Sequence, residues 1–359
     1  MCEVGAGHAL NFAHYPAAVT RVIAIEPEPR KATPAVTHQR SGPALKSRHS
    51  VRSSVGHDAG VKMHEGELDV SPEQVRRLVA DQFPRWSDLP IVHVAPAGTV
   101  NAIFRVGESL AARFPLQTGD PEEVRDGLME EARAAAEFAA VSPVPSPRPI
   151  ARIEPGHGYP VSWAVRDWLP GRDAIAEDPA ASPVFALELA HLLARLRAAD
   201  TRGRSFSGGG RGGHLPDHDE WMDLCFAKSV GLVDVETLRG LWGSLRILPV
   251  VDEDVMCHGD LTPQNVLVDT GHFVGVLDTG GFGVADPALD LVSVWHLLDH
   301  ERRELVRQQL KCGEGQWRRG MAWALQQAMG LVWYYAETNP IMSRWGRRTL
   351  DRLVSASAA

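Results

Sequence analysis

The chain has 359 residues, a formal net charge of −8 and 44% hydrophobic residues. At about 150 residues per domain, this length predicts two domains, each with its own core. The acidic balance argues against a nucleic-acid partner, which would require a basic face. No stretch approaches the roughly 18 consecutive apolar residues of a membrane span, so we expect a protein without membrane association.

Cysteine usage and charge distribution narrow the class of protein further. The four cysteines are scattered without a CxxC pair, which favours a reducing cytoplasm over a disulfide framework or a zinc cluster. Between Asp217 and Glu301 there are sixteen acidic residues against three basic ones. The negative electrostatic potential of such a region would attract metal ions or cationic small molecules. The alternative is an acidic surface that is only solvated.

Residues 1–62 differ from the rest of the chain. Residues 27–60 have the Pro-, Ser- and Arg-rich composition of a disordered segment. Before them, Gly5 and Gly7 in a turn and Glu26 at the end of "VIAIE" resemble the start of a class I S-adenosylmethionine-dependent methyltransferase. One such unit cannot bury both faces of its strands, so we interpret residues 1–62 as a disordered or vestigial extension, with Met63 as the natural start.

Residues 63–170 predict a small lobe of mixed structure. "SPEQVRRLVADQF" has a Ser cap, an early Pro and helical apolar spacing. Short alternating strands follow in "IVHVAPAGTVNAIFRVGESLAARFP", then a helix in "DPEEVRDGLMEEARAAAEFAAV" and another strand in "SWAVRDWL". This order predicts an antiparallel sheet accompanied by helices.

Residues 171–359 predict a larger lobe that is mostly helical. "SPVFALELAHLLARLRAAD" is strongly amphipathic, and the chain from about Pro287 to Val354 has helical periodicity with many aromatic residues. "RGRSFSGGGRGGHLPDHDE" predicts a flexible loop and lacks the spacing of a phosphate-binding glycine loop.

The stretch "CHGDLTPQNVLVDTGHFVGVLDTGGFG", residues 257–283, concentrates polar groups among short apolar runs. Pro263 prevents a regular helix, so a loop holds Asp260 and Asn265. Two short antiparallel strands then return Asp278 to that loop. Asn265 and Asp278 supply hard oxygen ligands suited to Mg²⁺, while Asp260 can accept a proton from an attacking hydroxyl. One base and two metal ligands predict phosphoryl transfer.

"HGDLTPQN" followed by "LDTGGFG" resembles the paired signature of the aminoglycoside phosphotransferase family, antibiotic kinases with a protein-kinase-like fold. The similarity extends from about Pro90 to Thr338. It implies that Asp260 is the catalytic base and that Asn265 and Asp278 bind Mg²⁺. It further implies that His258 shapes the loop and that Asp290 braces it.

The same resemblance assigns the nucleotide-binding residues of the small lobe. Arg113 stands where the family's third strand carries a phosphate-binding cation, usually lysine, and Glu131 is its expected partner, with Glu130 as the near alternative. Gly98 to Asn101 fit the turn that covers the phosphates. "VRDWLPG" would be the hinge that binds adenine.

These features together predict an α+β protein of two lobes with a protein-kinase-like fold. We expect it to transfer the γ-phosphoryl group of ATP or GTP, with Mg²⁺, to a hydroxyl of a cationic small molecule. An aminoglycoside is the leading acceptor, and macrolides, peptide antibiotics, sugars and amino alcohols are alternatives. A nucleotide-binding protein with weak or no catalysis is a further alternative, because Arg113 replaces lysine.

Overall fold

The computed structural model describes residues 68–94, 101–117, 119–206, 210–250 and 252–357. The extension of residues 1–62, with the methyltransferase-like stretch in its first 30 residues, and Gly98 lie outside these ranges. Within them the chain folds into an α+β protein with a sheet-containing amino-terminal lobe and a mostly helical carboxy-terminal lobe. No helix in the described part is long and apolar enough to cross a membrane.

The amino-terminal lobe is built on a five-stranded antiparallel sheet with the strand order β1-β2-β3-β5-β4. Its elements are α1 (Pro72–Gln82), β1 (Ile91–Val94), β2 (Asn101–Val106), β3 (Leu110–Pro115), α2 (Pro121–Val141), β4 (Pro149–Ile153) and β5 (Trp163–Asp167). Helix α1 begins as the sequence predicts, because the Ser71 hydroxyl accepts the Gln74 amide at 3.2 Å and Pro72 occupies the first turn.

The two faces of this sheet carry different kinds of side chain, because successive side chains of a strand point to opposite faces. On one face, Phe104, Phe114 and Trp163 form the core of the lobe, with Phe114 stacked on Trp163 at a centroid distance of 4.5 Å. The other face carries Arg113 and Arg166. In the register of β3 and β5, Arg113 lies opposite Ala164 and Arg166 lies opposite Ala111, so both arginines point to the same side of the sheet.

The carboxy-terminal lobe surrounds two small sheets with helices. Its elements are β6 (Arg172–Asp173), α3 (Pro183–Arg197), α4 (Asp219–Lys228), α5 (Val235–Leu245), β7 (Val255–Cys257), β8 (Val266–Asp269), β9 (His272–Val276), β10 (Gly283–Ala285), α6 (Val292–Leu297), α7 (His300–Leu310), α8 (Glu314–Tyr334) and α9 (Pro340–Ser357). Strands β6, β8 and β9 form one sheet, and β7 pairs with β10 in the other.

Helix α8 is the central element of this lobe and is buried along most of its length. Its contacts require small residues. A Cβ atom on Gly320 would lie 2.6 Å from the Leu291 Cβ, and one on Gly346 of α9 would lie 2.9 Å from the Ala328 carbonyl oxygen. These two glycines therefore let α8 pack closely against its neighbours.

Candidate active site

The loop that follows β7 is fixed by a buried carboxylate. Asp290 is 3% exposed, and its two oxygens accept the backbone N–H groups of His258 and Gly259, each at 2.8 Å. Burial raises the pKa of Asp290, although His258 and these N–H groups act in the opposite direction. The positive φ of Gly259, +83°, allows the turn that follows. Asp290 therefore lies where the resemblance placed it, against the start of the loop.

His258 connects this loop to the segment that carries Asp278. Its Nδ1 accepts the Asp260 backbone N–H at 3.2 Å, so its Nε2 carries the hydrogen and donates to the Leu277 carbonyl at 3.0 Å. The ring is 1% exposed. Both ring nitrogens are engaged, which fits a histidine that shapes the loop.

Within the described part of the chain, three side chains donate hydrogen bonds to the Asp260 carboxylate. Asn265 Nδ2 donates to Oδ2 at 3.0 Å, while Arg211 Nη2 and Gln327 Nε2 each donate to Oδ1 at 2.8 Å. The Asp260 side chain is 22% exposed, so one side of the carboxylate still faces solvent. A carboxylate has about four acceptor sites, and one on Oδ2 is left for an incoming hydroxyl.

Asn265 and Asp278 lie on opposite arms of the β8–β9 hairpin. Val266 pairs with Val276, and the Leu277 N–H donates to the Asn265 carbonyl at 2.8 Å. The Asn265 amide nitrogen donates to the Asp260 carbonyl and carboxylate, so the amide oxygen is available as a ligand. Asp278 adopts a left-handed conformation with φ of 53°, a strained geometry for a non-glycine residue that is common at functional sites.

These donors fit a magnesium ion that is shared with phosphates. Among the described residues, no group of three or more His, Cys, Asp or Glu side chains could hold a metal by itself. Mg²⁺ is usually bound by one or two protein oxygens, with phosphate oxygens and water completing its shell. The amide oxygen of Asn265 and the carboxylate of Asp278 are a donor set of that type.

A charge cluster on the amino-terminal lobe faces Asp278. Arg113 Nη1 donates to Glu131 Oε2 at 3.3 Å, and its Nη2 donates to Asp278 Oδ1 at 3.4 Å. Arg166 Nη2 donates to the same Glu131 oxygen at 2.7 Å. Burial alone would lower the pKa of Arg113, but the charges of Glu131 and Asp278 outweigh it and raise that pKa.

Glycine makes the approach between α2 and the segment after Asp278 possible. A Cβ atom on Gly280 would lie 2.9 Å from the Glu131 Cγ. Glu131 therefore lies directly over this segment, whereas Glu130 on the adjacent helix position is exposed. Of the two glutamates considered from sequence, Glu131 is the one that contacts Arg113.

The structure brings together most of the residues predicted from sequence. Asn265 contacts Asp260, and Arg113 contacts both Glu131 and Asp278; the backbone hydrogen bond from Leu277 to Asn265 joins the two groups. Asn101 is the first residue of β2, opposite Pro115 at the end of β3. Gly98 lies outside the described residues, so the predicted phosphate-covering turn stays a prediction.

Three further residues of the site were not predicted from sequence. Arg211 belongs to the loop that was expected to be flexible, but its side chain is only 9% exposed. The neighbouring Gly212 is closely packed, since a Cβ there would lie 2.7 Å from the Ala285 Cβ. The sequence places Arg166 only in the expected hinge "VRDWLPG" and Gln327 only in the helical stretch from about Pro287 to Val354. An arginine amid glycines and a glutamine within an apolar helix were the available signals.

Comparison with known proteins identifies the family. The model of the phosphotransferase enzyme family matches residues 92–324. An aminoglycoside 3'-phosphotransferase of Streptomyces fradiae is 31% identical over 169 residues, which are 41% of this chain and 56% of that protein. The chain thus matches just over half the length of this curated relative.

Solved structures show the same fold at lower identity. The GDP and kanamycin complex of an aminoglycoside phosphotransferase, APH(2")-IIIa, has a TM-score of 0.58 at 18% identity, covering 79% of this chain and 98% of that one. The macrolide 2'-phosphotransferase MphH of Brachybacterium faecium has a TM-score of 0.51 at 20% identity, covering 78% and 98%. Because the family model matches more than half of the sequence, the chain belongs to the phosphotransferase enzyme family.

Proposed function

We propose that the chain transfers the γ-phosphoryl group of ATP or GTP to a hydroxyl of a small molecule, with an aminoglycoside-type antibiotic as the leading acceptor. The observation that carries this proposal is the contact of the Arg113–Glu131 pair with Asp278, at the end of the hairpin that follows the Asp260 loop. A base, two metal ligands and a phosphate-binding cation are the parts that phosphoryl transfer requires.

Each part has a distinct task. Asp260 accepts a hydrogen bond from the acceptor hydroxyl at its remaining Oδ2 site and orients that oxygen for in-line attack. Asn265 and Asp278 would hold Mg²⁺, which would supply charge neutralisation on the phosphates when bound. Arg113 clamps phosphate oxygens through its planar, two-pronged guanidinium.

Similarity and local charge support a cationic acceptor. The curated relative is an aminoglycoside 3'-phosphotransferase, and one structural neighbour binds kanamycin. Several acids of the 217–301 region are nevertheless engaged within the protein: Asp219 with Arg246, Asp223 with Arg239, and Asp286 with Arg319. The charge of this region therefore supports a cationic acceptor less strongly than the similarity does, and the macrolide neighbour keeps that acceptor class as an alternative.

Product analysis tests this proposal. Purified protein is incubated with Mg²⁺, ATP or GTP and a panel of aminoglycosides, macrolides, sugars and amino alcohols, and mass spectrometry detects the addition of a phosphate. We expect an aminoglycoside to be modified. Asp260→Ala should lower kcat by about 10²–10⁴-fold, the range for a lost general base, with little change in nucleotide affinity. Wild-type turnover in that variant would contradict the assignment of Asp260.

A further inference from the structure

A buried chain of hydrogen bonds extends from Asp260 into the helical lobe. Gln327 on α8 donates from Nε2 to Asp260 Oδ1 at 2.8 Å, and its Oε1 lies 3.1 Å from His296 Nε2. His296 on α6 in turn contacts the Thr349 hydroxyl on α9 through Nδ1 at 2.8 Å. We call Gln327, His296 and Thr349 the buried polar chain.

The direction of each hydrogen bond follows from the group at its end. An ionised carboxylate only accepts, so the Gln327 amide nitrogen must face Asp260 and its oxygen must face His296. His296 then donates from Nε2, and its Nδ1 accepts the Thr349 hydroxyl hydrogen. Burial lowers the pKa of His296 to about 3, so the ring stays neutral and keeps one donor and one acceptor.

Packing alone does not account for these three polar residues, because burying polar groups costs free energy. The exposed fractions are 2% for Gln327 and 0% for both His296 and Thr349, in a region otherwise filled by apolar side chains. Polar groups buried in such a region require partners, and apolar residues of similar volume would pack there without that requirement. The three residues come from three different helices, and all their bonds lead to one carboxylate.

We propose that the buried polar chain is a positioning device that holds the Asp260 carboxylate in its reactive orientation. This inference rests on the proposed function, in which Asp260 accepts a hydrogen bond from the hydroxyl group of the substrate. With Oδ1 occupied by Gln327 and Arg211, and Oδ2 bonded once by Asn265, a single acceptor site on Oδ2 faces the substrate. His296 fixes the Gln327 amide, and Thr349 fixes the ring of His296.

Gln327→Met tests this inference, with Gln326→Met as the matched control. Both glutamines lie on α8 and are at most 2% exposed, but Gln326 approaches His218, with 3.5 Å between its Nε2 and the His218 Nδ1. We expect Gln327→Met to lower kcat for phosphoryl transfer by about 10–100-fold, the scale of a misplaced catalytic group, with the nucleotide KM within about twofold. Gln326→Met should keep kcat within about twofold.

A second pair of variants changes Thr349, the member of the buried polar chain that is farthest along it from Asp260. Thr349→Val keeps the shape but removes the hydroxyl, whereas Thr349→Ser keeps it. We expect Thr349→Val to lower kcat by about 3–10-fold, with nucleotide KM unchanged, and Thr349→Ser to retain wild-type kcat. If Gln327→Met does not fold, these two Thr349 variants test the positioning role by themselves.

The outcomes separate this inference from the function on which it rests. A wild-type chain that phosphorylates none of the acceptors overturns both. An active wild-type chain with undiminished kcat in Gln327→Met and Thr349→Val overturns the positioning role alone. Equal losses of kcat in Gln326→Met and Gln327→Met also overturn it, because packing would then explain the effect.

Discussion

Arg113 of the amino-terminal lobe contacts Asp278 of the carboxy-terminal lobe, with 3.4 Å between Nη2 and Oδ1. The cation that we propose for phosphate binding is thus paired with the carboxylate that we propose as a Mg²⁺ ligand. In the proposed function, the Arg113 guanidinium turns from Asp278 to the phosphate oxygens, which would leave the Asp278 carboxylate for Mg²⁺.

Replacing Arg113 tests its assignment to the phosphates. Arg113→Met should raise the nucleotide KM by about 10–100-fold, because charge-assisted hydrogen bonds contribute about 1.5–3 kcal/mol. Arg113→Lys should recover part of that affinity, since an ammonium supplies the charge but not the fork. Steady-state kinetics measures both effects. Arg152→Met on β4 is the control, and a nucleotide KM that changes equally in both Met variants would contradict the assignment.

Arg166 is the second arginine that donates a hydrogen bond to Glu131, beside Arg113. Burial, followed by repulsion from Arg113, lowers the pKa of Arg166 to about 10, so it remains charged at neutral pH. Its side chain is only 5% exposed. When Arg113 turns to phosphate, Arg166 would keep Glu131 paired.

Arg166→Met should therefore draw Arg113 more firmly onto Glu131 and raise the nucleotide KM by about 3–10-fold, less than Arg113→Met does. The two arginines share one partner, so the double variant should be non-additive by at least about 0.5 kcal/mol. A double-mutant cycle on nucleotide binding, measured by calorimetry, gives that coupling. Strictly additive effects would show that the two arginines act independently.

A buried ion pair connects α8 to the segment after β10. Arg319 Nε donates to Asp286 Oδ2 at 2.8 Å, and the two side chains are 1% and 5% exposed. Arg319→Met leaves the Asp286 carboxylate buried without this cation, which should cost about 3–5 kcal/mol of unfolding free energy. The exposed pair Arg307–Glu314 is the control, and Arg307→Met should cost less than about 1 kcal/mol. Urea denaturation that gives similar losses for both variants would contradict this prediction.

Local spacing predicted the centre of the site but not its surroundings. Asp260, Asn265 and Asp278 lie within one loop and hairpin, so their proximity follows from turn and strand geometry in a single stretch. The pairing of Arg113 with Glu131 came from family resemblance. It depends on how α2 packs over the sheet, and the local sequence does not distinguish Glu131 from the neighbouring Glu130.

The residues that were missed reach the site through long-range packing. Gln327 is 67 positions from Asp260, and Arg211 is 49 positions away. Nothing in a local pattern indicates which face of a buried helix meets a distant loop. Likewise, the glycines around Arg211 predicted a flexible loop. In the structure, Ala285 packs against Gly212 and Phe206 packs against Gly213, so that a larger residue would not fit at either position.

Two buried histidines should make stability depend on pH. Burial, with a further contribution from Arg211, lowers the pKa of His218 to about 4, although Asp217 and Asp219 oppose the shift. Burial lowers the pKa of His296 to about 3, with Arg352 and Arg211 acting in the same direction and Gln327 opposing them. An unfolded histidine has a pKa near 6.5.

The unfolded chain therefore binds protons first as the pH falls. The stability contributed by each histidine is complete above about pH 6.5 and is lost as the pH falls towards the folded-state values. Between pH 7 and pH 5 the loss should be about 2 kcal/mol per histidine. Urea midpoints at a series of pH values measure this slope, and His218→Gln should reduce it. An unchanged slope in His218→Gln would show that His218 does not contribute, because its proton would then bind equally in both states.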